Sequence, residues 1–294
     1  MDFTNEKNLP DWVAKGLSHS TYNRDGIRFD ISATRLIDSP LVAAMWKEHG
    51  RDVVEDVMDR TWSAWGTATH AVFEDANKAN AQVIMEKRYL HEYSGKVVSG
   101  QIDCYEILSG VISDIKTCAA FKVVKGMYGQ WENQLNVCAA LMRHNGYKVE
   151  KLQVVAIIKD WSAYKSKNER NYPQDPVAVI DISLWTPETA DDYIEQRLAL
   201  HFGDGPKECS PEERWVRPGR WAVMKKGRKS ALRLVDSDEQ GKAYIAHNKL
   251  GDDESISIVE RKGQYVRCDS YCAFGRMGVC PQLNASNGAT TIGE

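Results

Sequence analysis

The sequence predicts a mixed α/β protein, with a central β-sheet, helices packed around it and a smaller appendage following it. Three observations lead there. Between residues 52 and 202 the apolar spacing changes period in the order helix, three strands, helix, strand, strand, helix. In the middle of that order lies an antiparallel hairpin, VVSGQIDCYEILSGVISDIKTC at 97–118. From about residue 204 the chain turns to many charges, scattered Gly and Pro, and no long apolar run.

The elements follow in order. Residues 1–50 read as a helical lead-in: 1–28 shows no sustained period and reads as loosely ordered, and a helix covers 39–49 from the cap signal Ser39-Pro40. Val53, Val57, Trp65, Val72 and Phe73 recur at helical spacing across 52–80, with a break expected near Gly66. Strands are expected at 82–92, 96–107 and 110–117. YGQWENQLNVCAALMRHNG reads as a helix stopped by Gly146. KLQVVAII and PVAVIDISLW read as strands, and PETADDYIEQRLALHF as a helix with Pro187 in its first turn. These elements make 51–203 the core. Segment 204–284 has little core of its own and needs a staple, and 285–294 reads as disordered.

Bulk properties bound the function. A chain of 294 residues holds one large domain, or one core with an appendage. With 43% hydrophobic and 27% charged residues it is not a disordered chain. No apolar run reaches the ~18 residues a membrane span needs, and MDFTNEKNLPDWVAKG lacks the layout of a signal peptide. The expectation is a cytoplasmic protein with no membrane partner. A net charge of −3 gives no global sign of a polyanionic partner. Nucleic-acid binding, however, needs a local basic surface and not a basic average. In that setting the seven cysteines are expected as reduced thiols or metal ligands and not as disulfides.

The hairpin carries charge where a core strand should not. Asp114 and Lys116, two apart on a strand, leave the same face. The turn at Ser109-Gly110 folds Asp103 back across from Asp114. Two carboxylates on one face repel unless a cation lies between them. Hard oxygen ligands with open positions are what Mg²⁺ or Mn²⁺ takes, and an adjacent lysine can stabilise charge developing on a phosphate. Together these are parts of metal-assisted phosphodiester hydrolysis. The triplet alone means little, since Glu260-Arg261-Lys262 has the same form. Its company distinguishes it: GTATHAVFE upstream with His70 and Glu74 one turn apart, GQID on the preceding strand, and QWENQLNVCAALM downstream with Gln130 and Gln134 one turn apart.

This ordered set, GTATH ending at His70, G-x-x-D at Asp103, D-x-K at Asp114 and Lys116, and Q-L-N from Gln134, resembles the PD-(D/E)XK nuclease superfamily. It is similar in particular to the RecB-like branch that includes CRISPR-associated exonucleases with an iron–sulfur cluster. The resemblance covers roughly 60–285, and FDISATRLIDSP resembles the branch's N-terminal motif. Phage-type sequences share the GTATH, DIKT and CSPEERW signatures. The resemblance implies a restriction-endonuclease-like mixed sheet for 51–203, with His70, Asp103 and Asp114 as metal ligands. Lys116 then matches the catalytic lysine, Gln134 the glutamine beside it, and Glu86 a further acid. Where the branch often has Tyr four residues after the glutamine, this chain has Cys138, so a tyrosine contact to DNA is in doubt.

Cys209 is separated by 58 intervening residues from a C-x₃-C-x₇-C run, Cys268, Cys272 and Cys280. Four thiolates can bind tetrahedral Zn²⁺ or an iron–sulfur cube, or remain free. The resemblance implies a structural [4Fe–4S] cluster with Zn²⁺ as the alternative, although relatives often place the remote cysteine before the nuclease core. Lys122 and Lys125, the loop residues Lys165, Lys167 and Arg170, and the basic run with Lys225 and Lys226 are the candidate contacts to DNA phosphates. A few of the nine tryptophans and twelve tyrosines can stack on unpaired bases. The expectation is a Mg²⁺- or Mn²⁺-dependent DNA exonuclease acting on single strands or duplex ends in phage-type recombination, replication or repair, alongside phage recombination or replication proteins. The softer imidazole favours Mn²⁺. The alternatives are a non-cleaving nucleic-acid-binding recombination partner on the same fold, or an RNA nuclease.

Overall fold

The structure, a computed structural model, describes residues 2–19, 26–205, 207–251 and 253–288. It divides into two compact units, Met1–Lys207 and Glu208–Glu294.

The first unit opens with β1 (Asp2–Thr4) and α1 (Asp11–Ser18). Then come β2 (Ile31–Ser32), the single turn α2 (Ala33–Leu36) and α3 (Pro40–His49). The lead-in is therefore more ordered than its sequence suggests. β1 pairs in parallel with β3 (Val54–Asp56), an arrangement local periodicity cannot reveal. Residues 20–25 lie outside the described residues. α3 begins where the cap signal places it: Ser39 Oγ accepts the Val42 N–H and Pro40 fills the first helical position.

A 3₁₀ turn at Val57–Arg60 leads into α4 (Thr61–Asn77), which runs through Gly66 without the expected break. A helix-interior glycine costs about 1 kcal/mol against alanine. Here Gly66 faces β6 (Val111–Cys118): a Cβ on it would stand 3.8 Å from Thr117 Oγ1, so tertiary packing carries the helix past it. β4 (Val83–Tyr93) and β5 (Lys96–Glu106) precede β6. After it come α5 (Ala120–Val124), α6 (Gly129–His144), β7 (Lys151–Ile158), α7 (Ala163–Asn168), β8 (Val177–Ile182) and α8 (Pro187–Phe202). The segment around Lys165 and Lys167, read as loop, is thus a short helix whose start is capped by Ser162.

These strands form a six-stranded mixed sheet. β4 lies antiparallel along the whole of one edge of β5. The other edge of β5 is shared: β2 pairs in parallel at Val98–Ser99, and β6 pairs antiparallel from Cys104 to Glu106. Between those two partners, residues 100–103 have no ladder on that edge, and a notch opens in the sheet. β7 extends the sheet parallel to β6, and β8 closes it antiparallel. α6 is buried continuously from Leu135 to Met142, between the sheet and α8. The small residues Cys138, Ala139 and Ala140 permit that approach. Gly100 does so from the sheet side, where a Cβ would lie 2.8 Å from Leu141 Cδ1. Leu36, Val98, Ile102, Ile112, Leu135, Leu152 and Ile194 complete this core.

The second unit has a fold of its own that its sequence barely signals. β9 (Val216–Arg217), β10 (Arg220–Lys225), β11 (Arg233–Val235), α9 (Asp238–His247), β12 (Ile256–Arg261) and β13 (Gln264–Tyr265) follow in order. β10 is the centre of an antiparallel β11–β10–β12 sheet, with Ala222 and Val223 fully buried. α9 packs on it with Gly241 against Ile258. A π-helical turn at Arg267–Tyr271 then leads to α10 (Ala273–Arg276) and α11 (Pro281–Gly288). The expected disorder from 285 is corrected as far as Gly288, which is helical; 289–294 lie outside the described residues.

Candidate metal centre

The notch in β5 is the floor of a cavity of about 360 Å³. His70, Glu86, Asp103, Lys116, Gln134 and Cys138 line it, with Ser32 and Thr34 at one side. Each functional side chain arrives on a different element: His70 on α4, Glu86 on β4, Asp103 on β5, Lys116 on β6 and Gln134 on α6.

Glu86 has a left-handed backbone, φ +48°, inside a β-strand. The ladder between β4 and β5 is broken there, between the Met85–Cys104 and Lys87–Ile102 pairs, so the residue facing the gap is Asp103. A non-glycine residue in this region costs about 1–3 kcal/mol. The result is a carboxylate against the imidazole: Glu86 Oε1 is 2.9 Å from His70 Nδ1, and Asp103 Oδ2 is 3.7 Å from the same nitrogen. Ligand atoms of His70, Glu86 and Asp103 all lie within 4.8 Å of one another.

Asp103 also repairs the edge it interrupts. Its Oδ2 accepts the Ile115 N–H at 2.7 Å, replacing a ladder acceptor where the β5–β6 pairing has ended. Burial, reinforced by the charge of Asp114, raises its pKa to about 7. The Glu86 contact raises that of His70 against the opposing effect of burial. Two carboxylates beside an imidazole, with the Asp103 and His70 pKa values both raised, mark a place where positive charge is favoured.

Asp114 sits apart from this trio. It is 5% exposed, and its Oδ1 accepts a hydrogen bond from Lys116 Nζ at 2.9 Å. Its Oδ2 is sealed from solvent 2.8 Å from the same ammonium, yet accepts no well-aligned hydrogen bond. Lys116 donates further to Gln134 Oε1 at 3.3 Å. Burial alone would lower the Lys116 pKa, but attraction to Asp114 and Asp103 outweighs it and the ammonium is held charged. His70, Glu86 and Asp103 therefore offer a converging ligand set. Asp114 faces the lysine with both oxygens. Two carboxylates and an imidazole fit a divalent cation.

Two lining residues escaped sequence reasoning. Gln101 Nε2 donates to Glu86 Oε2 at 2.7 Å, and Arg88 donates to Gln101 Oε1 at 3.0 Å and Ser99 Oγ at 2.8 Å. Strand alternation was the available signal, because 86 and 88, like 101 and 103, are two apart.

The candidate DNA contacts scatter. Lys122 is half-buried with its ammonium 4.2 Å from the Trp131 ring centroid, whereas Lys125 is exposed. Lys165 lies over Tyr172, and Lys167 and Arg170 are exposed. Lys225 and Lys226 belong to the second unit, where Lys225 is paired with Asp253 at 2.9 Å.

The second unit also holds all four cysteines of the tail. Cys268 lies in the π-helical turn, Cys272 caps α10 and Cys280 precedes α11. The Gln282 side chain ties Cys209 to the same region, accepting from its N–H at 2.9 Å and donating to its C=O at 3.1 Å. Among the described residues no three of these sulfurs lie within 4.8 Å of one another. Thiolates on one zinc at about 2.3 Å each stand only ~3.8 Å apart, closer than this arrangement provides. Arg214 adds a second observation. It is 8% exposed, its Nε and Nη2 have no hydrogen-bond partner, and it stacks on Tyr265 at 3.4 Å. Its carbonyl accepts the N–H of Arg267, beside Cys268. A buried guanidinium with two unpartnered nitrogens, on a residue whose backbone is bonded beside the Cys268 turn, suits an anionic group.

No family model matches the sequence, and no curated protein matches it. Among solved structures, the crystal structure of SSO0001 aligns with 65% of this chain and 85% of that chain, at 19% identity and a TM-score of 0.44, a likeness that carries no argument about fold or activity. No helix among the described residues is long and apolar enough to cross a membrane.

Proposed function

We propose that this chain is a divalent-metal-dependent DNA nuclease of the PD-(D/E)XK type. The observation that supports it is the convergence in one cavity of a three-residue ligand set, His70, Glu86 and Asp103, with Lys116 and Gln134, the lysine being held by the buried Asp114 behind it. A Mg²⁺ or Mn²⁺ ion bound there supplies Lewis-acid polarisation of the phosphodiester and acidifies a water molecule.

The protein's own groups divide the remaining work. His70, Glu86 and Asp103 would hold the ion, and Asp114 holds Lys116 beside them. Lys116, kept protonated by Asp114 and Asp103, suits stabilising negative charge on the phosphoryl oxygens and not removing a proton from water. Gln134 fixes the ammonium from the side opposite the strand. The cavity opens on a gap in the sheet edge, so an extended backbone can reach the ligands without displacing a strand.

In the second unit we propose a structural [4Fe–4S] cluster on Cys209, Cys268, Cys272 and Cys280, with no part in the hydrolytic step. DNA is the proposed partner, and the cytoplasm the proposed place of action.

Cleavage of end-labelled DNA with Mn²⁺, Mg²⁺ or EDTA tests the reading. Cleavage should need the metal and fall about 10²- to 10⁴-fold in Lys116→Ala. A parent protein that leaves single- and double-stranded DNA intact with either metal, or a Lys116→Ala protein as active as the parent, would overturn it.

A further inference from the structure

Trp62 and Trp65, one turn apart on α4, are 56% and 44% exposed. They stack on each other with ring centroids 5.8 Å apart and planes inclined by 26°. Lys159, in the turn after β7, places its ammonium 3.7 Å from the Trp62 ring centroid. Indoles that pack a core are buried; a stacked, cation-covered pair left in water is an interaction surface.

Its position ties it to the cavity. Gly66, the residue after Trp65, lines the cavity and faces Thr117, which follows Lys116 on β6. Trp65 precedes His70 by five residues, or ~7.5 Å along the helix axis, about two stacked nucleotide steps. Lys122 and Lys159 both lie within electrostatic reach of the Cys118 thiol at the end of β6, as does Asp160 with the opposite sign.

From this geometry we infer that the Trp62–Trp65–Lys159 ledge binds unpaired bases of single-stranded DNA and leads the strand into the metal-site cavity. The inference rests on the nuclease reading for what happens at the cavity, but not for binding. Aromatic faces take any base whose own face is free, whereas the faces of paired bases are hidden in the duplex stack. Lys159, Lys122 and Lys116 supply complementary charge for the accompanying phosphates.

The test is anisotropy binding of a labelled oligothymidylate, and of a blunt duplex, in EDTA so that no cleavage occurs. The parent should prefer the single strand. Trp65→Ala should weaken single-strand binding about 5- to 100-fold, with duplex binding unchanged and Trp65→Phe restoring most of the loss. Lys159→Ala should weaken it less and lower its salt dependence, and it guards against a tryptophan variant that fails to fold. Single-strand affinity unchanged in both Trp65→Ala and Lys159→Ala, equal losses on duplex and single strand, tighter binding of the matching RNA, or a parent dimer that Trp65→Ala dissociates would each overturn the inference. A parent that binds single strands through Trp65 but never cleaves removes the nuclease reading alone. A parent that cleaves, with tryptophan variants that bind normally, removes the ledge alone.

Discussion

Glu86 adopts a backbone conformation that a β-strand does not ask for, and this is what brings its carboxylate to His70. Comparing two substitutions isolates the effect. Glu86→Ala and Glu86→Gly both remove the carboxylate, but only glycine adopts φ +48° without steric cost. Glu86→Gly should therefore be more stable than Glu86→Ala by about 1 kcal/mol, read from urea unfolding in EDTA. Both should lose Mn²⁺ affinity by calorimetry. Equal stability of the two proteins would mean that the strain is relieved elsewhere. The sequence placed Asp103, Asp114, Lys116, His70 and Gln134 near one another through spacing and resemblance; the structure lines one cavity with His70, Asp103, Lys116 and Gln134, and holds Asp114 against the lysine. The sequence named Glu86 as a further acid by resemblance, but nothing in IMEKRYL marks the sign change in φ that turns the carboxylate to His70. Nor did it distinguish the roles of the acids: Asp103 faces the imidazole and Asp114 the lysine, a division set by a ladder that ends at Cys104–Ser113.

At the scale of elements, the site exists because two strands share one edge of β5 and neither reaches residues 100–103. Only one of those partners was legible. β6 follows β5 through a short turn and shows as a hairpin, whereas β2 is two residues long and pairs across more than sixty positions of chain. The position of α6 depends on a buried polar tie. Asn136 is fully buried: its amide donates to the Ser183 carbonyl at 2.8 Å and to Glu132 O, and its Oδ1 accepts the Trp185 N–H at 2.8 Å. It thereby fixes α6, and with it Gln134, to the connection between β8 and α8. Of the Q-L-N motif, Gln134 thus faces the cavity and Asn136 holds the scaffold. Asn136→Leu keeps the branched shape but leaves the Trp185 N–H and the Ser183 carbonyl, both part-buried, without this partner, so stability should fall by ~1–3 kcal/mol. Thermal unfolding of the parent and the variant reads this, and a loss under about 0.5 kcal/mol, the size expected of a neutral surface change, would show that water replaces the tie.

At the scale of the whole molecule, the two units obey different physics. The first has a continuous apolar core that its periodicity announces. The second has Ala222 and Val223 buried under one helix, a π-helical turn around Cys268, and a buried Arg214 with no anion to answer it. A segment with so small a core gains most of its stability from whatever its thiols bind. The sign of one substitution should then depend on the occupant. Without a bound anion, Arg214 is an unpaired buried cation, and replacing it with methionine of similar length should stabilise the second unit. With the thiolates holding an anionic cluster, Arg214 becomes its counter-ion, and Arg214→Met should cost about 3–5 kcal/mol and hasten loss of iron. Melting anaerobically purified protein before and after chelation, with iron measured alongside, reads both signs. Because the units are separate, the change should appear in one transition and leave the other in place. A shift of the same sign in both preparations would mean that Arg214 answers something other than the thiols.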